Sequence, residues 1–478
     1  MFLKFRRYIA YSAFRHCKFK GVVCFVAIST VLIVSYLNSY EDLVDVEDER
    51  LAAETRNDFT EAAGQETVEQ QQSSNSDEFV SAVLVMSAKR SEALRNHMEQ
   101  LVRLRPSAVK FPIIISQDGR NHDVATVATH FAKHHRNVSY MNLKSDSEPR
   151  PRSKNYEYIA AHYHWALDKV FNETRYDFVI ITEDDLDIAK DFFSYFTWGK
   201  QVLLADSTVW CVSAWNDNGL PNLVNKDTAE KVWRTDFFPG LGWMLTRNLW
   251  KELSPKFPKV YWDDWMRTKE VRNGRSCLRP EISRTSHNMK VAGKGSSGGL
   301  YKAFLSNIAV SSTAVDFTLL PYENMLKESY DEQLQQTLMD SQPVSYQNFD
   351  STVFSPSHSY RAMFSTTREW FNLAQKVGIM VDIRGGMQRT AYYGVVAVMY
   401  KNCRLFLVPT ELDLNILETY HYDEKRDLQL RYLEFAKTYC NAKMYTGVCD
   451  PESPDMVAWF KKKRWLKRLQ AYGKMMVN

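Results

Sequence analysis

Net charge is almost absent from this chain: 61 lysines and arginines face 57 aspartates and glutamates, a balance of +4 over 478 residues. A strongly basic surface is therefore excluded, and nothing invokes nucleic acid as a partner. Cysteines number seven, and none has the spacing of a zinc site. No internal repeat is visible, which removes solenoid and propeller architectures. The phosphate-cradling spacing G-x-x-x-x-G-K-[ST] is missing too. What is present is a chain 45% hydrophobic and rich in aromatics, long enough for two or three domains with a sizeable core.

The first forty residues differ in kind. Lys4, Arg6, Arg7, Arg15, Lys18 and Lys20 precede any acidic residue, and Gly21 to Leu37 then runs without a charge. At a rise of about 1.5 Å per residue that run spans roughly 25 Å, the short end of what crosses a bilayer. Basic residues before it and acidic ones after it predict a cytosolic N-terminus, with the remainder on the far side. A cleaved signal peptide is the alternative. The run is longer than a usual signal core, and Tyr36 and Leu37 stand where small cleavage-site residues belong, so an uncleaved type II anchor is favoured. Residues 38–78 are acidic, rich in Gln and Ser, and read as a stem that buries too little to fold alone. Asn137-Val-Ser and Asn172-Glu-Thr are glycosylation sequons, usable only if this part is lumenal. Cys211, Cys277, Cys403, Cys440 and Cys449 lie there as well, where disulfides are permitted; an odd number leaves at least one without a partner among them.

Beyond the stem, strand and helix patterns alternate. Phe79 to Met86 reads as a strand, and Ser91 to Leu104 as an amphipathic helix with Ser91 as its N-cap. Phe111 to Ser116 is a second strand, 123–133 a helix, 138–142 a short strand, and 155–170 a helix. The apolar, β-branched run Asp177 to Thr182 follows as a buried strand. Such alternation predicts a parallel sheet with right-handed crossovers. Its strand ends, at Ser87–Arg90, Asp118 and Glu183–Asp185, then share one edge, where open α/β folds bind ligands.

Glu183, Asp184 and Asp185 close the last of these strands. Three adjacent negative charges repel one another unless a cation neutralises them, and a hard dication with oxygen ligands would also hold a diphosphate. A solvated acidic turn is the bland alternative. Arg90 on the same edge suits a phosphate, and Asp118 a base or ribose; solvated loop charges would explain either alone. His162, on an amphipathic helix, reads by default as a surface or boundary histidine. A second constellation is Val260-Tyr-Trp-Asp-Asp-Trp-Met266. Its aromatics offer a face for a sugar, and one of Asp263 and Asp264 a general base, although a turn with apolar flanks is equally compatible. The run Val291 to Gly299 has the composition of a mobile phosphate-covering lid or of a plain linker. The basic stretch Phe460 to Arg468 reads as a solvated helix.

Taken together, Glu183–Ala189, Trp210–Gly219, Asp236–Trp243, Trp262–Arg267 and Arg279–Thr285 resemble the N-acetylglucosaminyltransferase I family, densely from Val80 to Thr285 and thinly beyond. The resemblance implies a GT-A type, Rossmann-like α/β glycosyltransferase fold with a smaller C-terminal α+β domain. The implied layout is a cytoplasmic tail over 1–20, an anchor over 21–37, a stem over 38–78, a nucleotide-sugar domain over 79–320, a C-terminal domain over 321–450 and a basic tail over 451–478. It further implies Mn²⁺ on Asp185, UDP-GlcNAc held by Arg90, Asp118, His162, Glu183, Asp184 and Ser297, and Asp263 as the catalytic base. Cys211 and Cys277 match a disulfide of the family, whereas Ala88 and Gly119 stand where its second bridge would be. The implied reaction adds β1,2-linked GlcNAc to the α1,3-mannose arm of high-mannose N-glycans at the Golgi membrane. Transfer to O-linked mannose, or a catalytically silent membrane-anchored lectin, are the alternatives.

Overall fold

The computed structural model describes residues 80–144, 155–291, 302–308, 310–417 and parts of 423–465. These all fall within one compact unit of the chain, Ser76–Asn478. The expected tail, anchor and stem, the 291–299 lid beyond its first residue, and Ser297 lie outside the described residues. Among the described residues no helix is long and apolar enough to cross a membrane.

Strand β1 (Ser81–Ser87) lies inside the large sheet, and all seven of its residues are buried. β2 (Ile113–Asp118) and β4 (Phe178–Glu183) pair with it in parallel on either side, and β3 (Val138–Leu143) adds to β2. Helices α1 (Ser91–Leu104), α2 (His122–His134) and α3 (Asn155–Glu173) make the crossovers. Because successive residues of a strand face opposite ways, Val83 and Val85 join one buried cluster with Leu94 and Met98 of α1, while Ala82, Leu84 and Met86 join another with Leu167 and Val170 of α3. Full burial of each such aliphatic side chain contributes about 1.5–3 kcal/mol, so the middle of β1 is where truncation costs most.

These four strands are parallel, as expected, and beyond β4 the sheet becomes mixed. A short β5 (Leu186–Ile188) and helix α4 (Phe192–Ala205) lead to β6 (Val209–Ser213), β7 (Val232–Thr235), β8 (Trp243–Thr246) and β9 (Ser276–Pro280). The whole sheet runs β3-β2-β1-β4-β8-β6-β9-β7, and β8 sits antiparallel between β4 and β6. β6 and β9 pair in parallel, and β7 pairs antiparallel with β9. β10 (Thr285–His287) returns to pair antiparallel with β5. Gly242, at φ +91°, permits the entry to β8; a Cβ there would lie 2.7 Å from Cγ2 of Thr285.

Further on, helix α7 (Lys327–Asp340) precedes β11 (Gln342–Val344) and β12 (Tyr360–Phe364), and helix α8 (Thr367–Val377) precedes a two-residue ribbon, β13 (Ile383–Arg384) with β14 (Met387–Gln388); α5 and α6 belong to the site below. β15 (Val396–Tyr400) and β16 (Cys403–Pro409) complete a second sheet of order β11-β12-β16-β15. Helix α9 (Pro454–Lys462) buries Met456 and Phe460 against Phe435 and Tyr439 and ends at Lys462. The expected solvated helix over Phe460 to Arg468 is therefore not seen: its start is the last turn of a packed helix, Arg464 turns away at φ +60°, and its end lies outside the described residues. Cys211 and Cys277 form a disulfide between paired strands β6 and β9, as the resemblance implied. Cys440 pairs with Cys449, and among the described residues Cys403 is the free thiol, and it is buried.

Candidate active site

The register of the central strands brings the expected edge together: Met86 lies opposite Glu183, and Ser87 opposite Gln117, next to Asp118. Past the end of β4 the Asp184 N–H still donates to the Met86 carbonyl (3.0 Å), and the Asp185 carbonyl accepts from the Asn288 N–H (2.8 Å). The acidic turn is thus held from both sides. Arg90, 32% exposed, reaches it with a fork: Nη2 meets Asp184 Oδ1 at 2.5 Å and Nη1 meets Asp185 Oδ2 at 2.5 Å. Ser87 Oγ donates to the other Asp184 oxygen at 2.8 Å. Burial works against charge on Arg90, but Asp184, Asp185 and Glu183 outweigh it and hold its pKa above the ordinary value. Burial pushes the Asp184 carboxyl up to about 6 despite Arg90, and burial together with Asp185 pushes Glu183 up to about 7. The turn is therefore packed and charge-compensated, not solvated.

Two expectations fail here. Ser91 does not cap α1. It is the first helical residue, and the cap position falls to Arg90, whose guanidinium has no acceptor for the helix N–H groups and instead donates to the carboxylates. His162 is not at the surface. It is 5% exposed on the buried stripe of α3, and Nε2 shares a 2.8 Å hydrogen bond with Ser116 Oγ of β2. Asp118, at the end of β2, is buried as well.

The W-D-D-W stretch follows α5 (Arg247–Leu253) and forms a short helix, α6 (Trp262–Met266), entered through Tyr261 at φ +49°. Trp262 stacks on Tyr163 of α3 with centroids 4.3 Å apart, and the Tyr163 hydroxyl donates to Glu183 Oε1 at 2.9 Å. One side chain therefore joins the acidic turn to α6. Burial raises the Tyr163 pKa, and Glu183, Asp263 and Asp185 add to the rise, so carboxylates of both constellations bear on the same hydroxyl. Asp263 and Asp264 are 42% and 39% exposed, and Nη1 of Arg267 meets Asp263 Oδ2 at 2.9 Å and Asp264 Oδ1 at 2.7 Å. Arg384 of the β13–β14 ribbon takes both oxygens of Asp264 at 2.7 Å. Burial opposes ionisation of Asp264, but Arg384 and Arg267 outweigh it and hold its carboxyl below the usual range.

Ser87, Tyr163, Arg267, Arg384 and His287 were not singled out from the sequence. Of these only Arg267 left a signal, its spacing of four from Asp263 on a helix. His287 Nδ1 stands 3.8 Å from Asp185 Oδ2.

Among the described residues no group of three or more His, Cys, Asp or Glu side chains could hold a metal ion. A dication at this turn would need most of its ligands from elsewhere. Asp185 Oδ1 suits that: it is buried without a hydrogen-bond partner, a hard oxygen ligand left over when Arg90 has taken Oδ2. One carboxylate oxygen, completed by diphosphate and water, is a fitting donor set for a small hard cation.

The charge-compensated acidic strand end is thus tied through one tyrosine to a half-exposed carboxylate on an aromatic platform, and similarity to known proteins makes the chain a transferase. It belongs to the GNT-I family, whose pattern matches residues 7–420. It is similar to the alpha-1,3-mannosyl-glycoprotein 2-beta-N-acetylglucosaminyltransferase of Arabidopsis thaliana, 35% identical over 336 residues that cover 69% of this chain and 74% of the relative. Solved structures similar to part of it include the mannosyltransferase PcManGT from Pyrobaculum calidifontis in complex with GDP-Man and Mn²⁺, at 15% identity and a TM-score of 0.30, covering 43% of this chain and 57% of that one. S. aureus TarS 1-349 is similar at 10% identity and a TM-score of 0.30, covering 43% and 58%. Family membership bears out the resemblance drawn from the motifs.

Proposed function

We propose that this chain is an inverting glycosyltransferase of GT-A type that moves GlcNAc from UDP-GlcNAc in β1,2 linkage to the α1,3-linked mannose of high-mannose N-glycans, opening the route to hybrid and complex N-glycans. The observation that carries the reading is Tyr163, whose hydroxyl holds Glu183 and whose ring supports Trp262, so that a donor at the acidic turn and an acceptor at α6 meet across one side chain.

In this reading Asp118 and His162 hold the nucleoside side of the donor, and Arg90, Glu183, Asp184 and Ser297 its diphosphate and sugar. Asp185 Oδ1 would ligate Mn²⁺, which supplies Lewis-acid neutralisation of the UDP leaving group. Asp263, half-exposed and sharing Arg267, accepts the proton of the mannose 2-hydroxyl. The freed oxygen attacks the anomeric carbon from the face opposite UDP, so the configuration inverts, as in inverting hydrolysis. Asp264 is clamped by two arginines and is the poorer base of the pair. The tail, anchor and stem over 1–78 are part of the same proposal, holding the enzyme as a single-pass type II protein with its site on the lumenal side of the Golgi membrane.

The test is the purified protein with UDP-GlcNAc, Mn²⁺ and a five-mannose N-glycan, read by mass spectrometry. Addition of one N-acetylhexosamine is expected, abolished in Asp263→Asn while UDP-GlcNAc binding stays near normal. Transfer to an O-mannosyl peptide alone would replace the acceptor, and absence of UDP release with any mannose acceptor would refute the reading.

A further inference from the structure

The base in this reading ends a chain of alternating charges that runs into the second sheet. Asp263 meets Arg267 at 2.9 Å, Arg267 meets Asp264 at 2.7 Å, Asp264 meets Arg384 at 2.7 Å, and Arg384 Nε meets Asp382 at 2.8 Å. Asp382 also accepts from Arg389 at 2.8 and 2.9 Å, and Arg389 pairs with buried Asp217. Four carboxylates alternate with three guanidinium groups, so one negative charge is in excess. Its place is decided by how the cations are shared. Asp264 receives three of these contacts and Asp382 three, whereas the two ends receive one each: Asp217 from Arg389, and Asp263 from an Nη1 that it shares with Asp264. Asp217 is buried and interacts with Arg279 as well, whereas Asp263 is open to water, so the excess rests on Asp263, the solvent-facing end.

We propose that Arg384 is a positioning residue for this reaction, acting on Asp263 through Asp264 and Arg267; the inference rests on the reading of Asp263 as the base. By satisfying both oxygens of Asp264, Arg384 keeps that carboxylate from taking over the Arg267 Nη1 that Asp263 shares. Arg267 cannot serve both unaided, because it is fixed: Nε donates to the Phe238 carbonyl at 3.1 Å and the guanidinium lies over the Phe237 ring at 4.6 Å. The ribbon is fixed too. Gly385, at φ +57°, brings its backbone so close to Arg267 that a Cβ would lie 2.5 Å from the Arg267 carbonyl oxygen. Without Arg384, two adjacent carboxylates compete for one cation, Asp263 loses its orientation, and its proton affinity rises. The other charges bearing on Asp263 are those of its own helix, Arg267 and Asp264, and from α3 the hydroxyl of Tyr163 with Glu183 behind it.

The experiment uses the full chain in detergent with Mn²⁺, UDP-GlcNAc and a five-mannose N-glycan. In Arg384→Gln, kcat should fall about 10-fold, less than the roughly 10²–10⁴-fold that a base itself supplies. The KM for UDP-GlcNAc should change by less than about twofold, and the acid limb of the kcat/KM profile should move to higher pH. Arg384→Lys, which keeps the charge without the fork, should recover part of the loss. The decisive variant is Asp264→Asn/Arg384→Gln: with the competitor neutralised, Asp263 has the Arg267 Nη1 to itself and turnover rises above that of Arg384→Gln alone. It also serves as the folded comparison with Asp264→Asn should Arg384→Gln not fold, and in that background loss of Arg384 should cost nothing further. Wild-type kcat and pH profile in Arg384→Gln, or an undiminished cost of losing Arg384 when Asp264 is Asn, would overturn the inference. Turnover surviving in Asp263→Asn would instead remove the base reading beneath it.

Discussion

Replacing Glu183 by Gln isolates one term in the pH dependence of stability. The amide retains an oxygen to accept from Tyr163 and removes only the ionisation. In the folded chain the carboxyl is pushed up from 4.5 to about 7, first by burial and then by Asp185. Between those values the folded state binds more protons than the unfolded one. The contribution of Glu183 is therefore complete below about pH 4.5 and lost as pH rises through about 7. A shift of this size is worth about 3 kcal/mol, and partial exposure of the residue reduces that to about 2–3 kcal/mol. The wild-type curve alone will not reveal it. His97, buried between the Leu186 carbonyl and Thr182, is pushed down from 6.5 to about 4, chiefly by burial, and so gains stability as pH rises over the same range. The two slopes oppose each other. The measurement is urea unfolding of metal-free wild type and Glu183→Gln from about pH 5 to 8, read as their difference. Wild type should lose about 2 kcal/mol relative to the variant across that interval, and a flat difference would refute a buried, proton-holding Glu183.

Asp185→Ala should abolish Mn²⁺-dependent binding of UDP-GlcNAc in titration calorimetry while leaving the far-ultraviolet dichroism unchanged. Gly242→Ala places a Cβ against Thr285 at φ +91°, and should destabilise the chain by about 1–3 kcal/mol in urea unfolding. Replacing Cys211 and Cys277 together by Ala releases a loop closed across a separation of 66 residues, and should cost about 4 kcal/mol in the same assay.

The parallel half of the sheet was legible because its signals are local. β1, β2 and β4 are short runs of β-branched and aliphatic residues, and the acids that end β4 stop the apolar pattern where the strand stops. Once these strands are parallel, their carboxyl ends must share an edge, and Arg90, Asp118 and Asp184 follow. The other half was not legible. β8 is four residues long and lies between β4 and β6, an order that its length and alternation do not encode. The pairing of β5 with β10 joins residues nearly a hundred positions apart. His162 was misread because a polar residue on a buried stripe looks like a boundary residue until its partner, Ser116 on another strand, is known. Ser91 was misread as a cap because the capping preference concerns a side chain, whereas the helix begins one residue earlier than that preference suggests, with Arg90 at the cap position and paired with two carboxylates. The Asp264–Arg384 contact spans 120 residues and leaves no trace in either segment.

The bridge between Cys211 and Cys277 has no exposed sulfur, since both residues are wholly shielded within paired strands. Thiol exchange needs a nucleophile in line with the sulfur pair, so a soluble reductant reaches this bond only during an opening of the sheet. Newly made chain must meet an oxidant before those strands close, whereas finished enzyme keeps its bond through a later reducing interval. The redox state of each molecule thus records the surroundings in which it matured, not those in which it is assayed.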